Sequence, residues 1–273
     1  MNGDIMNKSI RAVLLMGLAV TCAAGAAEDK SLGVTADLTL ASKYMTDGFN
    51  VGDNHAAYMP SLAVDTKVPG FYLQFWSALP MERNRQQYDE YDFMARYSHD
   101  FFGGSPLKLN LHGYYDYWVY PHDAYTTDKN GATIAAQSKR GQKVHAGVSL
   151  LELLPVLGSH LVPSYNYYYW FPDQKDLFQA GAHHELALSY THALPVFIPG
   201  AKQQDVTLGG SLNYHDGAFG VDSGWSHTTA MLGTSAELLG CTLSANVNYQ
   251  WSYIASVDPE NEFWAMLSLT KKF

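Results

Sequence analysis

The 273-residue chain contains little cysteine and few charged residues. It has two cysteines, and 16% of its residues are charged. Because Cys22 belongs to a predicted signal peptide, the mature chain keeps only Cys241, which excludes an internal disulfide and a CxxC metal or redox site. Basic residues are outnumbered, since 17 Lys and Arg face 26 Asp and Glu, for a formal net charge of −9. Proteins that bind nucleic-acid phosphates are usually basic, so we expect no nucleic-acid partner.

Long apolar runs are also missing. After residue 27 the chain has no stretch of about 18 consecutive apolar residues, which excludes a helical membrane protein. The short apolar stretch at 12–24, AVLLMGLAVTCAA, follows Lys8 and Arg11 and precedes small residues up to Ala27. This order is typical of a secretory signal peptide. We therefore predict a cleaved signal peptide at 1–27 and a single mature domain at 28–273.

The mature chain instead shows segments in which apolar and polar residues alternate. In residues 241–253, apolar or aromatic side chains occupy every second position, and Thr, Ser, Asn and Gln fill the positions between. Residues 32–44, 88–100 and 261–273 follow the same pattern. A period of two indicates β-strands with one apolar and one polar face.

The spacing of these segments predicts the topology. We expect about twelve strands of ten or more residues, a length that suits a tilted membrane-spanning strand and is about twice that of soluble strands. They are predicted at 32–44, 56–68, 71–80, 88–100, 107–120, 142–154, 159–171, 178–194, 205–216, 225–238, 241–253 and 261–273. Long polar connections alternate with tight ones, except for the apolar connection at 194–204. The predicted fold is all-β, a transmembrane antiparallel β-barrel with both termini on the short-turn side.

Aromatic residues cluster where the predicted strands meet the long loops. Trp and Tyr favour membrane interfaces, so we predict a girdle there. A soluble β-sandwich with an aromatic core is the alternative, but it does not explain strand length and loop alternation together. Phe273 ends the last strand, where an outer-membrane assembly signal would lie, so we expect the barrel-assembly machinery to bind the C-terminal strand. The girdle residues are Tyr117, Tyr167, Tyr169, Trp225, Trp251 and Phe263.

Short motifs between residues 33 and 98 resemble a known family. They are ASKY at 41–44, DG at 47–48, PSL at 60–62, GFY at 70–72, WS at 76–77, EYD at 90–92 and YS at 97–98. In order and spacing they resemble the leading third of the TorF-type putative porin family. That family usually has Arg-Gly where this chain has Asp47-Gly48, and beyond about residue 100 only general barrel alternation remains. The resemblance implies an outer-membrane pore of poorly defined substrate and no catalytic residues.

The polar strand faces would line the barrel interior. In an aqueous path, Glu90, Asp92 and Asp116 would favour cations. The competing interpretation is a network of opposite charges that plugs a narrow barrel. The ionisable residues assigned to this lining are Asp37, Lys43, Asp65, Lys67, Glu90, Asp92, Arg96, Lys108, His112, Asp116, His145, His183, Glu185 and His215.

No motif predicts catalysis, a metal or a cofactor. The triplet at 183–185, HHE, begins like a zinc-protease helix, but position 188 is Leu188 and neighbouring side chains of a strand point to opposite faces. A Gly-x-Ser-x-Gly motif is absent. Ser211 with His215 and Ser226 with His227 remain as pairs for an outer-membrane lipid hydrolase. We expect the protein not to be an enzyme.

Together these patterns predict a porin-like channel for passive diffusion of small hydrophilic solutes or ions. It would lie in the outer membrane of a Gram-negative bacterium, among outer-membrane lipids and lipopolysaccharide, either alone or as a homo-oligomer. The alternative is a closed barrel with a structural, adhesive or envelope-binding role. The longest loop, 121–141, carries Lys129, Lys139 and Arg140. It would form an anion-attracting constriction, contact lipopolysaccharide phosphates, or stay solvated.

Overall fold

The computed structural model describes residues 33–82, 85–105, 107–121, 125–127, 133–135, 139–172 and 179–273. The predicted signal peptide at 1–27 and most of the loop at 121–141, including Lys129, lie outside these residues. No helix in the described ranges is long and apolar enough to cross a membrane.

Strands form most of the described chain. Two 3-10 helices, Gln86–Tyr88 and Ala218–Gly220, lie between them. The strands in chain order are β1 Val34–Ala41, β2 Met45–Thr46, β3 Phe49–Asn50, β4 Ala57–Asp65, β5 Phe71–Pro80, β6 Glu90–Phe101, β7 Leu109–Tyr120, β8 Tyr125–Thr127, β9 Thr133–Ala135, β10 Lys139–Leu150, β11 Leu154–Val156, β12 Ser159–Pro172, β13 Gly181–Ala193, β14 Ala201–Asp216, β15 Gly224–Leu238, β16 Cys241–Ser252 and β17 Glu262–Lys272.

Twelve of these strands form a closed antiparallel barrel. The order around the wall is β1, β4, β5, β6, β7, β10, β12, β13, β14, β15, β16 and β17. The wall closes where β17 pairs with β1, from Thr35 opposite Lys272 to Ala41 opposite Met266. Closure gives every wall strand two neighbours, which satisfies its backbone groups without water. The predicted barrel of about twelve strands is confirmed.

The bounds differ from the sequence-based ones mainly at two strands. β10 ends at Leu150, where the chain bends at 151–153 before β11, which pairs with the start of β12. β14 begins at Ala201, four positions before the predicted start at 205. Gln204 explains this early start: its backbone carbonyl accepts from Leu194 N–H at 2.8 Å, and its side-chain oxygen accepts from Phe197 N–H at 3.3 Å. The apolar connection is therefore a turn at 194–200.

Apolar side chains cover the outer wall. Large ones on every side of the barrel are between 43% and 54% exposed, including Leu62, Leu73, Phe93, Leu186, Leu232 and Leu267. Such a surface is unfavourable in water and suits lipid acyl chains. The residues between them point into the barrel, as the period of two requires.

The six predicted girdle aromatics lie near the long-loop ends of their strands. Trp225, Trp251 and Phe263 are 51%, 42% and 56% exposed on the outer wall. Tyr117 alternates with the buried Trp118, while Tyr167 and Tyr169 alternate with buried inward neighbours on β12. At the opposite end, Phe273 N–H donates to the Val34 carbonyl at 2.8 Å. The membrane depth of the girdle and the assembly role of Phe273 stay predictions.

Candidate functional site

A small hairpin in the first long loop folds into the barrel interior. Its strands, β2 and β3, pair Thr46 with Phe49, so only Asp47 and Gly48 form the turn. Both have positive φ, 51° and 88°, which is the type I′ geometry that Asp-Gly favours. The sequence predicted a plain loop here, although an Asp-Gly pair is the signal that could have identified the hairpin.

The hairpin tip is bonded to the far wall of the lumen. His215 Nε2 on β14 donates to the Asp47 carbonyl at 2.9 Å, and Gln250 Nε2 on β16 donates to the Gly48 carbonyl at 2.9 Å. A Cβ on Gly48 would lie 2.4 Å from the His227 ring, so the close approach requires glycine. The tip therefore docks on inward side chains of the wall.

The Asp47 carboxylate forms the ionic part of this docking. Lys143 Nζ on β10 lies 3.5 Å from its Oδ2, and His183 Nδ1 lies 3.7 Å from its Oδ1. Burial by itself would raise the pKa of Asp47, but Lys143 and then His183 lower it by more, so the pKa lies well below its usual range. Asp47 is therefore an ionised anchor at neutral pH.

Three histidines surround the anchor. The His183 and His215 rings stack with centroids 4.5 Å apart at 8°, and the His227 centroid lies 6.0 Å and 6.2 Å from them. The nitrogen lone pairs of stacked rings lie in separate parallel planes, so these two rings do not converge on one ion. In the described part of the chain no group of three or more His, Cys, Asp or Glu is arranged to hold a metal.

On the other side of the hairpin lies a cavity of about 920 Å³, here called the inner cavity. Its wall comes mainly from β1 and β4 to β7, where small side chains such as Thr35, Thr39, Ser61 and Ala63 leave room. At the short-turn end the Asp65 side chain is 55% exposed, while Glu90 at the long-loop end is 7% exposed. The inner cavity is thus covered toward the long loops.

Acidic groups dominate this lining. Six carboxyl side chains and two basic ones, Arg96 and Lys143, border the inner cavity. The Tyr44 and Tyr120 hydroxyls each donate to Glu90 Oε2 at 2.6 Å. Asp116 Oδ2 lies 4.0 Å from Lys143 Nζ. The carboxyl groups belong to Asp37, Asp47, Asp65, Glu90, Asp92 and Asp116.

A second cavity of about 430 Å³, the outer cavity, lies on the long-loop side, and Val51 borders both. Its lining includes Asp53, Asp258, Glu260 and Glu262. Burial raises the pKa of Asp258, and the Glu262 and Glu260 charges raise it further. Both cavities are acidic.

The structure separates the predicted lining residues into three groups. Asp37, Asp65, Glu90, Asp92, Arg96 and Asp116 border the inner cavity. His112 and His145 both donate to the Asn166 side-chain oxygen, at 2.9 Å and 3.1 Å, and Asn166 donates to Glu185 at 2.7 Å. These residues, with the docked His183 and His215, face the lumen but lie outside the inner cavity.

The remaining three predicted residues lie at strand ends. Lys43 follows β1 and bonds Glu262. Lys108 precedes β7 and lies 3.7 Å from Asp100 and 3.4 Å from Glu152. Lys67 is exposed in the turn after β4 and does not border the inner cavity. These three lysines lie outside the wall strands, and their assignment to the lumen stays a prediction.

The structure places the two serine–histidine pairs differently. Ser211 accepts from Asn213 at 2.9 Å, whereas His215 bonds the hairpin. Ser226 Oγ does lie 2.9 Å from His227 Nδ1, but both residues are buried, at 0% and 3% exposure, and the His227 ring lies beside the docked hairpin tip. In neither pair are the serine and the histidine hydrogen-bonded to each other and also exposed.

Comparisons with known proteins support the fold only. LpxR from Salmonella typhimurium is 11% identical, with a TM-score of 0.50 over 88% of this chain and 100% of its own. The NanC porin is 10% identical, with a TM-score of 0.49 over 87% of this chain and 100% of its own. An outer membrane channel from Pseudomonas putida F1 is 12% identical, with a TM-score of 0.49 over 90% of this chain and 97% of its own. The chain has the fold of an outer-membrane β-barrel.

No family model and no curated protein matches the chain. The resemblance to the TorF-type porins therefore stays a prediction.

Proposed function

We propose that this protein is an outer-membrane channel that passes small hydrophilic solutes and prefers cations. The observation that carries the proposal is the inner cavity, which six carboxyl side chains and two basic ones border. Charges of one sign in a low-dielectric lumen concentrate counter-ions and exclude co-ions. A passive channel of this kind needs no cofactor and performs no covalent step.

The hairpin restricts what would pass. It lies across the lumen between the outer and inner cavities, with Val51 bordering both. Tyr44, at the foot of the hairpin, is 5% exposed and contributes to the cover over the inner cavity. The proposed path therefore suits small solutes and contrasts with wide barrels of 16 or more strands.

Single-channel recording of the refolded mature protein in a planar bilayer tests the proposal. We expect steady current steps and a reversal potential in a KCl gradient that indicates cation preference. The double variant Glu90→Gln/Asp116→Asn should shift this potential toward zero. Its matched control is Glu237→Gln/Asp216→Asn, which removes the same charge at exposed positions outside both cavities and should leave the potential unchanged.

A closed barrel with an adhesive, structural or envelope-binding role is the second candidate. It is favoured by the two hydrogen bonds from wall side chains to hairpin carbonyls and by the Asp47–Lys143 ion pair, which hold the hairpin across the lumen. The same recording separates the two candidates. A barrel that is folded by electrophoretic mobility yet carries no current would support the closed form and refute the channel.

The surroundings of the barrel belong to the proposal as well. The apolar outer wall and its flanking aromatics suit the outer membrane of a Gram-negative bacterium, with lipopolysaccharide on the long-loop side. The proposal also includes export by the signal peptide at 1–27, binding of the assembly machinery to the strand that ends at Phe273, and formation of a homo-oligomer. Fractionation of cells that express the full chain would test the location.

A further inference from the structure

We propose that the inner cavity contains a binding site for an organic ammonium ion, formed by Asp92 and Asp116 and framed by Trp76 and Trp118. The inference rests on the proposed channel and specifies its solute class as a small amine with an apolar body. The charged group would meet the carboxylates, and the apolar body would lie against the indole rings.

The strand register places an acidic group between two aromatic ones. Asp92 on β6 pairs directly with Trp76 on β5 and with Trp118 on β7. All three side chains border the inner cavity. A Cβ on Gly141 would lie 2.3 Å from the Trp118 ring, so the ring packs against the neighbouring strand β10. Asp92 is therefore an acidic residue whose two direct strand partners are both tryptophans of the cavity wall.

Two buried oxygen atoms at this place accept no hydrogen bond. Asp92 and Asp116 are 6% and 2% exposed, and Oδ1 of each is buried without a partner in the described chain. A buried acceptor without a donor is unfavourable, because it has lost its hydrogen bonds to water and gained none. A ligand that brings N–H donors and a positive charge would remove this deficit.

The basic side chains nearby are engaged elsewhere. Lys143 lies closer to Asp47, at 3.5 Å, than to Asp116, at 4.0 Å. Arg96 donates to Gln74 at 2.8 Å and lies over the Tyr114 ring at 5.0 Å. Neither forms an ion pair with Asp92 within the described residues. Asp92 therefore borders the inner cavity with no ion-pair partner among the described residues.

An organic cation fits this site better than a metal ion. Ca²⁺ takes about 6–8 oxygen ligands, and indole rings supply none. Ammonium groups, in contrast, are attracted to the faces of aromatic rings, most strongly to Trp. The inner cavity, at about 920 Å³, also has the size of small-molecule sites.

Calorimetric titration of the refolded mature protein in detergent micelles tests the site without requiring conduction. The probe is 2-phenylethylammonium chloride, and 2-phenylethanol and CaCl₂ serve as comparison ligands. We expect the ammonium to bind, the neutral alcohol to bind at least about tenfold more weakly, and Ca²⁺ not to compete. Asp92→Asn should weaken ammonium binding by about tenfold or more, and Trp118→Leu by several-fold.

The control variant is Asp216→Asn, an exposed carboxylate outside both cavities, which should bind as the wild type does. Electrophoretic mobility verifies that each variant is folded, and Asp116→Asn replaces Asp92→Asn if the latter is not. Absence of ammonium binding, equal binding by Asp92→Asn, equal binding of the alcohol, or displacement by Ca²⁺ would each overturn the site. Binding by a barrel that is silent in bilayers would retain the site and overturn the channel.

Discussion

The hairpin tip at Asp47-Gly48 divides the lumen into two unlike regions. Toward β13 to β16 the inward side chains are long and hydrogen-bonded to the hairpin, as at His215 and Gln250. Toward β1 and β4 they are short, as at Thr39 and Ala63, and a cavity remains. Strand geometry is the same on both sides, so side-chain size and one inserted loop decide where the lumen is open.

The two regions also differ in which polar atoms lack a partner. On the docked side, His183 and His215 are at most 2% exposed; Nε2 of each is hydrogen-bonded, to Asn213 and to the hairpin, while Nδ1 of each has no hydrogen-bond partner among the described residues. On the cavity side, the atoms without a donor are carboxyl oxygens of Asp92 and Asp116, whose side chains border the inner cavity. Buried acceptors are normally paired, and an unpaired one beside open space is one that a solute can reach.

Undocking the hairpin should have the largest effect on this division. Gly48→Val adds a Cβ that would lie 2.4 Å from the His227 ring, at a φ of +88°. We expect the tip to leave the far wall and single-channel conductance to rise several-fold. The control is Gly240→Val in the β15–β16 turn, where φ is +73° but no atom lies within 4 Å of the added Cβ. Equal conductance in the two variants would show that the hairpin does not limit the path.

Removing the charge of Lys143, which lies between the two regions, should lower the free energy of unfolding. Lys143→Met leaves Asp47 and Asp116 without their buried counter-charge. Breaking a buried ion pair from one side typically lowers the free energy of unfolding by about 3–5 kcal/mol. Urea unfolding in lipid vesicles measures the change. Lys272→Met is the control, because its pair with Asp65 is 64% and 55% exposed and should contribute less than about 1 kcal/mol.

Of the three changes, lowering the pH from 7 to 5 should have the smallest effect on the stability that the docked hairpin provides. The pKa of Asp47 lies well below its usual range, because Lys143 and His183 outweigh burial. A lowered folded-state pKa gives stability that is present above the unfolded pKa and is lost as pH falls through the folded one. The difference in unfolding free energy between wild type and Asp47→Asn should therefore not shrink between pH 7 and pH 5. A difference that disappears by pH 5 would contradict the ionised anchor.

The barrel itself could be predicted because its signal is local. In β17, Phe263 and Leu267 are 56% and 45% exposed while Trp264 is 9% exposed, which is the alternation that the sequence shows. A strand of this length with one apolar face has few other stable arrangements in a membrane. Strand number and the sides of the loops follow from the same repeat.

The candidate site could be predicted only in part. The residues Glu90, Asp92 and Asp116 follow from alternation, but the predicted lining omits Lys143 and Asp47. Asp47 lies in a loop, where alternation carries no information, and its partners His183 and Lys143 come from other strands. Asp92 lies directly opposite Trp76 and Trp118 because of the register between the strands. The sequence of one strand alone does not specify that register.

The docked hairpin also has a consequence for the order of folding. The side chains of His215 and Gln250 donate to the backbone carbonyls of Asp47 and Gly48, which lie 168 and 202 positions earlier in the chain. Contacts across such distances form only after the intervening chain has been ordered. The hairpin comes early in the sequence, yet it reaches its final place only once β14 and β16 stand in the wall. Its docking therefore belongs to a late stage of barrel formation.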